Sequence, residues 1–463
     1  APAAVSPPDP LWVNKTLAEG QEIWSSIALG PDETLYFGTR GGKVMALDKY
    51  NAAKWPAAYD AAGAVWASPA LNVRHTRLFI GDESGKFSCL DPLTGGELFS
   101  YQTGGAIRSS AAVGGEWSAG TNVFFTSADG FLYCLDQNDL GFRWRKSIGQ
   151  QPVPELASSP VLGTNGHVYV GSSNGRLYAV DPAGGGTLLW NHLTGGQIEG
   201  SPAIGTNNWV FFGSHDHSIY ALDPAAPAGS RLKWKGTTGA PVKTSPALAA
   251  NGLLYVGSDD LKVHAYQAYT DAGGGTLSPA HVSPILAGPM CASLAISSNG
   301  IVYAGAYSGS RLYALTGDLL IHWQFNTIPG TTIGSIYAAP AIGPDGSLYI
   351  GDRTGQIFKF PVGSPLMASV WPAFQRDMWR SGNGRLNSWP RDPGATIQEL
   401  TPYYSGAYSA AFEINRSGVV AGQADGYPPY PMNWGYAREA AFWPARIAQP
   451  GMNYPWGWSV SFA

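Results

Sequence analysis

Residues 158–205 contain one complete copy of a repeated unit and the start of the next copy. The copy reads SSPVLG at 158–163, HVYVGS at 167–172, GRLYAVD at 175–181, Trp190 and TGG at 194–196, and SPAIG follows at 201–205. A period of about 40–50 residues with four short apolar runs is typical of a β-propeller that has one blade per repeat.

The second run of each copy shows the repeat most clearly. It alternates β-branched and aromatic residues and ends at a turn residue, which is typical of a half-buried strand. The copies are Leu35–Gly38, Leu78–Gly81, Val123–Thr126, Val168–Gly171, Val210–Gly213, Leu254–Gly257, Val302–Gly305 and Leu348–Gly351. We therefore predict an all-β fold, an eight-bladed propeller within residues 1–360. The closing glycine is expected to let the chain bend into the next turn.

The ring is predicted to be closed by an N-terminal strand. Leu11–Val13 resembles a fourth strand but precedes the first full copy, whereas the last copy has a third strand, Gln356–Lys359, and no clear fourth. Pairing these two segments would remove two open sheet edges. Val370–Trp371 is the alternative candidate for the same position.

Each third run leads into Ala/Cys-x-Asp, and an aromatic residue follows about eight residues later, as in Ala179–Asp181 with Trp190. Ala314–Thr316 is a weakened copy. This pattern resembles the tryptophan-docking repeat of the pyrroloquinoline-quinone-like propellers. The resemblance implies that the aromatic side chain packs between adjacent blades and that the Asp caps the turn. The docking residues would be Trp55, Phe99, Trp144, Trp190, Trp234 and Trp323.

The resembled family contains quinone-dependent dehydrogenases and non-catalytic scaffolds of the bacterial envelope. The dehydrogenases usually carry adjacent cysteines over the quinone, and this chain has no adjacent cysteines. We therefore predict a non-catalytic scaffold without a cofactor, which binds a protein or polysaccharide partner. The rival hypothesis, a quinone- and calcium-dependent dehydrogenase, predicts an Asp, a Glu and an Asn around a cation on the ring axis.

Composition favours a secreted, extracellular or cell-envelope protein. Only 13% of the 463 residues are charged, against about 25% in an average soluble domain, and 17 are Trp. A net charge of −4 gives no basic footprint for nucleic acid. No apolar run approaches the length of a membrane span. Ala1–Pro8 resembles a mature terminus left after signal cleavage.

Two further regions are expected after the ring. Residues 361–395 are interpreted as a connector packed on the ring, and Trp371–Asp377 with Gly382 resembles a tag found at the edges of such propellers. Residues 396–463 resemble extracellular HAF-type repeats of secreted bacterial proteins. Ser459–Phe462 matches Ser409–Phe412, and the next repeat would begin there, so the sequence is interpreted as a fragment.

Aromatic residues of the C-terminal region form the predicted interaction surface. A short β unit buries them poorly, and aromatic side chains are common anchors at interfaces. The residues are Tyr427, Tyr430, Trp434, Trp456 and Trp458. The region is expected to dock on the ring, on missing repeats or on a neighbouring chain, and the last case would give self-association into a fibre. A sugar-binding surface is an alternative role for Trp12, Trp66, Trp117, Trp209, Trp371, Trp379, Trp434, Trp456 and Trp458.

Two local clusters are candidate metal sites. His215-Asp216-His217 has suitable ligands, but it aligns with a turn in the preceding copy, and the turn interpretation is favoured. Asp259-Asp260 sits at the same turn of the sixth copy. Cys89 and Cys134 occupy equivalent positions and are predicted to be buried thiols. A disulfide between them requires Cα atoms within about 7 Å, and Cys291 is unpaired in this scheme.

Overall fold

Eight blade sheets, antiparallel except for one added strand in blade 5, make up most of the described part of the chain, and the fold is all-β. The computed structural model describes residues 5–15, 21–114, 121–149, 158–328, 330–369, 372–377, 413–414 and 420–421. Within these ranges, no helix is long and apolar enough to cross a membrane.

The sheets are the blades of the propeller, and the strands of each blade follow one another from the axis outward. Blades 1 to 4 comprise Ala28–Leu29, Leu35–Gly38, Lys43–Leu47 and Tyr59–Asp60; Ala70–Leu71, Leu78–Gly81, Lys86–Leu90 and Glu97–Gln102; Ala112–Val113, Asn122–Ser127, Phe131–Asp136 and Phe142–Ser147; Val161–Leu162, Val168–Gly171, Arg176–Asp181 and Thr187–Leu193.

Blades 5 to 8 repeat this order, with one extra strand in blade 5. They comprise Ala203–Ile204, Val210–Ser214, Ser218–Leu222, Leu232–Thr237 and Thr276–Leu277; Ala247–Leu248, Leu253–Ser258, Lys262–Gln267 and His281–Val282; Ala295–Ile296, Val302–Ala306, Arg311–Leu315 and Ile321–Phe325; Ala341–Ile342, Ser347–Gly351, Ile357–Pro361 and Trp12–Asn14. A separate small hairpin pairs Thr327–Ile328 with Thr331–Thr332.

The N-terminal strand closes the ring, as predicted. Trp12–Asn14 runs antiparallel to Ile357–Pro361, with Trp12 opposite Lys359. The amide of Leu11 also donates to the Lys359 carbonyl at 2.7 Å. The N-terminal strand therefore fills the fourth position of blade 8. The alternative candidate for that position, Val370–Trp371, lies outside the described residues.

Blade 6 departs from the repeat after its third strand. The chain first places Thr276–Leu277 parallel to the outer strand of blade 5, with Lys235 opposite Thr276. It then returns to add only two residues, His281–Val282, to its own sheet. The insertion therefore covers the outer edge of the preceding blade.

The second strands are buried on both faces, and the expectation that they are half-buried is wrong. All four residues of Val168–Gly171 are buried, whereas the outer strand Thr187–Leu193 alternates between exposed and partly buried residues. Each sheet packs against a neighbouring sheet on either side, so only the peripheral strand faces solvent.

The glycine that closes most second strands is explained by close packing between blades. A Cβ atom at Gly213 would lie 2.3 Å from a methyl group of Val242, and one at Gly38 would lie 2.2 Å from Val65. Gly38 and Gly213 do not have positive φ. The glycine is therefore required by a branched side chain of the next blade, and the predicted role in bending the chain is not what the structure shows.

Contacts divide the chain into two units, Ala1–Leu386 and Asn387–Ala463. In the second unit the described residues are Glu413–Ile414 and Val420–Ala421, which pair antiparallel. The predicted surface residues Tyr427, Tyr430, Trp434, Trp456 and Trp458 lie outside the described residues. The HAF-type interpretation, the self-association and the predicted domain boundaries stay predictions.

Candidate functional site

Several predicted docking tryptophans connect neighbouring blades at the periphery. Trp55 donates its indole N–H to the Pro92 carbonyl of the next blade at 2.8 Å. Trp144 and Trp234 make the equivalent bonds at 3.1 and 2.9 Å. Each ring is nearly or fully buried, so each contributes a large apolar contact and one satisfied hydrogen bond between blades.

Trp12 makes the same contact, which differs from the sugar-binding role considered for it from the sequence. Its indole N–H donates to the Lys49 carbonyl of blade 1 at 3.0 Å. The resemblance of Leu11–Val13 to a fourth strand is the signal for this role. Trp12 therefore seals the blade 8–blade 1 contact instead of contributing to a sugar-binding surface.

The remaining predicted docking residues show more varied contacts. Trp190 is partly buried and lies beneath the Arg231 guanidinium, at 5.1 Å. Trp323 is buried and lies 6.3 Å from the Phe360 ring. Phe99 is 39% exposed, and the Arg77 guanidinium lies over its ring, 5.7 Å from the ring centroid. Phe99 lacks an N–H donor, so it cannot form the indole bond.

In blades 2 to 5 and 7, a small residue of the third strand lies opposite the aromatic residue, for example Cys134 opposite Trp144 and Cys89 opposite Phe99. A β-bulge follows directly in both blades. Both cysteines are buried and free, and burial raises the pKa of Cys89 to about 11. Their position explains why other copies have Ala there.

Serine residues join the blades next to the axis. In seven of the eight blades, the amide of one residue in the first-strand segment donates to the Oγ of the next blade's serine, with N–O distances of 2.8–3.0 Å. The serines of this axial serine ring are Ser26, Ser68, Ser110, Ser159, Ser201, Ser245 and Ser293. Blade 8 has Ala339 at this position, which offers no side-chain acceptor to the Ser293 amide of blade 7.

The segment after the last blade reaches the same region. Ala373 bridges to Ala295, two residues along the innermost strand of blade 7 from Ser293, and the Ile296 amide donates to Pro372 at 3.0 Å. Phe374 lines the axial cavity together with the serines. The order of these contacts places Phe374 at the inner end of the cavity.

An inner ring of side chains surrounds the mouth of the cavity, two residues before each axial serine. Its described members are Trp24, Trp66, Arg108, Glu199, Lys243, Cys291 and Tyr337. The Trp24 ring lies 4.4 Å from Trp66 and 4.8 Å from Tyr337. One side of the mouth is therefore aromatic, and the other side carries charged groups.

An outer ring is formed by the residue two positions after the fourth residue of each repeated second run, such as Gly38 or Gly213. These residues are Arg40, Glu83, Ala128, Ser173, His215, Asp259, Tyr307 and Arg353. They lie on the same face of the ring as the cavity mouth, because members such as Glu83, His215 and Asp259 contact inner-ring residues. The inner and outer rings are the two positions of the repeat at which the side chains differ most in chemistry.

Ion pairs connect the inner and outer rings. Arg108 binds Glu83 through two N–O contacts of 2.5 and 2.8 Å, and Lys243 lies 2.7 Å from Asp259. Arg353 stacks over Trp24 at 4.5 Å. Fixed partners reduce the freedom of these side chains, so the face is organised before any partner binds.

The His215-Asp216-His217 side chains go to different partners, as the turn interpretation implies. His215 Nε2 lies 3.0 Å from Glu199, and Asp216 accepts the Gly195 amide at 3.0 Å. His217 has φ +66 and lies in the turn. Asp260, in the equivalent turn of blade 6, contacts His264 at 2.8 Å.

The axial cavity does not fit a calcium-bound quinone. Within the described residues, its lining offers one carboxylate, Glu199, which accepts the Tyr337 hydroxyl at 3.2 Å. No group of three His, Cys, Asp or Glu side chains in the described ranges could hold a metal ion. The cavity volume is about 110 Å³, below the range of about 300–1,000 Å³ common for small-molecule pockets.

The docking tryptophans, the repeat and the closed ring define an eight-bladed propeller of the pyrroloquinoline-quinone-like type. The family model for the outer membrane protein assembly factor BamB matches residues 4–273. The chain belongs to this family.

Solved structures show the same fold. BamB from Moraxella catarrhalis is 16% identical with a TM-score of 0.62, over 76% of this chain and 99% of that one. The computationally designed Ika8 protein is 18% identical with a TM-score of 0.58, over 75% and 98% of the two chains. At these identities the likeness shows the fold alone. A search of curated proteins gives no match.

Proposed function

We propose that the protein is a non-catalytic scaffold of the cell envelope or the cell exterior, and that it binds a protein or polysaccharide partner. The proposal rests mainly on the face of the propeller that is formed by the inner and outer rings. Two positions of the repeat vary there from blade to blade, whereas the strands beneath them repeat closely. A constant frame with variable side chains is what a binding scaffold requires.

Family membership supports the same proposal. The family is described as an assembly factor for outer membrane proteins, and a scaffold that binds protein partners in the envelope is consistent with that description. The aromatic side chains and arginines of the face are the residue types enriched at binding hot spots. Trp66, Arg40 and Arg108 are partly exposed, so a partner can contact them.

Photo-crosslinking in the native source tests this proposal. A photoreactive phenylalanine analogue replaces Arg40 or Ala128 in the outer ring, and Asn207 serves as the control. Asn207 is exposed in the turn between the first and second strands of blade 5, at the opposite end of the blade. We expect discrete adducts from the outer ring and none from Asn207.

Sensitivity of the adduct to protease or to glycosidase identifies the partner as protein or polysaccharide. Equal crosslinking from both faces, or no adduct from the outer ring, would contradict the proposal.

A further inference from the structure

The seven hydroxyls of the axial serine ring have hydrogen atoms that no acceptor among the described residues uses. Each Oγ accepts a backbone amide, and within the described residues none of these hydroxyls donates a hydrogen bond. The serines are only 2–8% exposed and line one cavity. Because buried polar groups are normally hydrogen-bonded, the cavity contents must supply acceptors.

Two cationic side chains face the same cavity while their partners do not. Arg108 and Lys243 belong to the lining, whereas Glu83 and Asp259 do not. Burial lowers the pKa of Lys243, but the hydrogen bond to Asp259 and the nearby charges of Asp259 and Glu199 together outweigh it, so the net shift is upward and the ammonium group stays charged. The one carboxylate of the described lining, Glu199, is already bound by Tyr337 and His215.

The shape of the cavity restricts what can enter. Phe374 lies at the inner end, and Trp24, Trp66 and Tyr337 surround the mouth. The volume of about 110 Å³ is below the range of about 300–1,000 Å³ common for small-molecule pockets, so a small group fits better than a large ligand. A small group rich in acceptors fits the inner part, and carbon atoms attached to it would contact the aromatic mouth.

We propose that the axial cavity is a binding site for a carboxylate. Its two oxygens accept hydrogen bonds from the serine hydroxyls, and the Arg108 guanidinium and the Lys243 ammonium line the same cavity. The carboxylate belongs to a small organic acid or to the C-terminus of a partner chain. The site goes beyond the scaffold function and does not depend on it.

Calorimetric titration of the full chain with three probes tests this site. Acetate represents a free acid, N-acetyl-diglycine a chain-borne carboxylate, and N-acetyl-diglycine amide is the neutral control. Binding of acetate or N-acetyl-diglycine without binding of the amide supports the proposal, and the preference between the two acids identifies the source. Equal binding of acid and amide, or no binding of either acid, overturns it in favour of a cavity filled with water.

Three variants locate the binding within the fold. Ala339→Ser adds an eighth hydroxyl and should tighten acid binding about tenfold, since a hydrogen bond to a charged group is comparatively strong. Ser245→Ala removes one donor and should weaken binding about tenfold. Thr244→Val is the matched control, because Thr244 is the adjacent residue and bonds Gly257 within its own blade.

Thermal melting without probe shows whether each variant is folded. Unchanged affinity in both Ala339→Ser and Ser245→Ala, or an equal loss in Thr244→Val, would place any binding outside the cavity and overturn the proposal.

Discussion

Neighbouring blades are joined by serine hydroxyls next to the axis and by aromatic side chains at the periphery. The axial contact is nearly uniform, since seven of the eight blades supply the same residue type. The peripheral contact differs between blades, with a fully buried Trp234 in one and a 39% exposed Phe99 in another. Sheets that radiate from an axis separate outward, so the inner contact admits only small groups and the outer contact can be filled in several ways.

The largest expected effect concerns the peripheral contact. Trp234→Ala should lower the free energy of unfolding by about 3–5 kcal/mol, because it removes a buried indole and its bond to the Ala268 carbonyl. Phe99→Ala, the matched change in an exposed contact, should lower it by about 1 kcal/mol. Chemical denaturation measures both variants. Equal losses would show that the exposed contact seals its blade as well as the buried one.

The second prediction concerns the packing between these two zones. Gly213→Ala should lower the free energy of unfolding by about 2–3 kcal/mol, since the new Cβ would meet Val242 at 2.3 Å. The double variant with Val242→Ala should recover part of the loss, because the clashing methyl groups are gone. Additive losses in the same denaturation assay would refute steric conflict as the cause.

The third prediction concerns the axial contact. Ser201→Ala should lower the free energy of unfolding by about 1–2 kcal/mol, because it leaves the buried Ser159 amide without its acceptor. Ala339→Ser should raise it by about 1 kcal/mol by offering a hydroxyl oxygen to the Ser293 amide of the preceding blade. Thermal melting measures both changes. A destabilised Ala339→Ser variant would mean that the ring is not improved by an eighth serine.

The smallest effect is pH-dependent and belongs to the periphery. Burial lowers the pKa of His192, and the charge of Asp216 offsets this only in part. His192 packs edge-on against Tyr220 at 5.6 Å. The unfolded chain takes up the proton first as pH falls below about 6.5. The contribution of His192 to the free energy of unfolding is therefore fully present above that pH and is lost as pH falls toward the lowered pKa.

The His192→Phe variant should show a shallower fall of melting temperature between about pH 7 and about pH 5 than the parent chain. His75 and His264 also have pKa values lowered by burial, so some dependence remains. Ser201→Ala is the control, since serine does not titrate, and its pH dependence should match that of the parent. A His192→Phe variant with an unchanged slope would exclude His192 as a contributor.

The number of blades is predictable because the strand pattern recurs about every 40–50 residues along the sequence. The closing strand is predictable because Leu11–Val13 matches the fourth strand of the other copies. The role of the axial serines is not, because their hydrogen bonds join residues of different blades, such as Ser26 and Ser68. The outer ring is also missed by sequence reasoning. Its members belong to different residue types, so they do not form part of the repeated pattern. The contact between Arg108 and Glu83 becomes visible only in the structure.

Two wrong expectations arise where a single residue is considered without its neighbours. The backbone of Gly213 suggests a role in bending the chain, whereas the cause of the glycine is Val242 of the next blade. The aromatic ring of Trp12 suggests a sugar-binding surface although its segment matches a fourth strand, and the structure places its indole against Lys49.

The strand that closes the ring has a consequence for biosynthesis. Trp12–Asn14 leaves the ribosome long before Ile357–Pro361, the strand with which it pairs. At about 5–20 residues per second, the delay is on the order of tens of seconds. An unpaired apolar strand is open to aggregation during that time. Pro7, Pro8 and Pro10 lie just before it, and prolines, which donate no backbone hydrogen bond, disfavour strand pairing in that stretch.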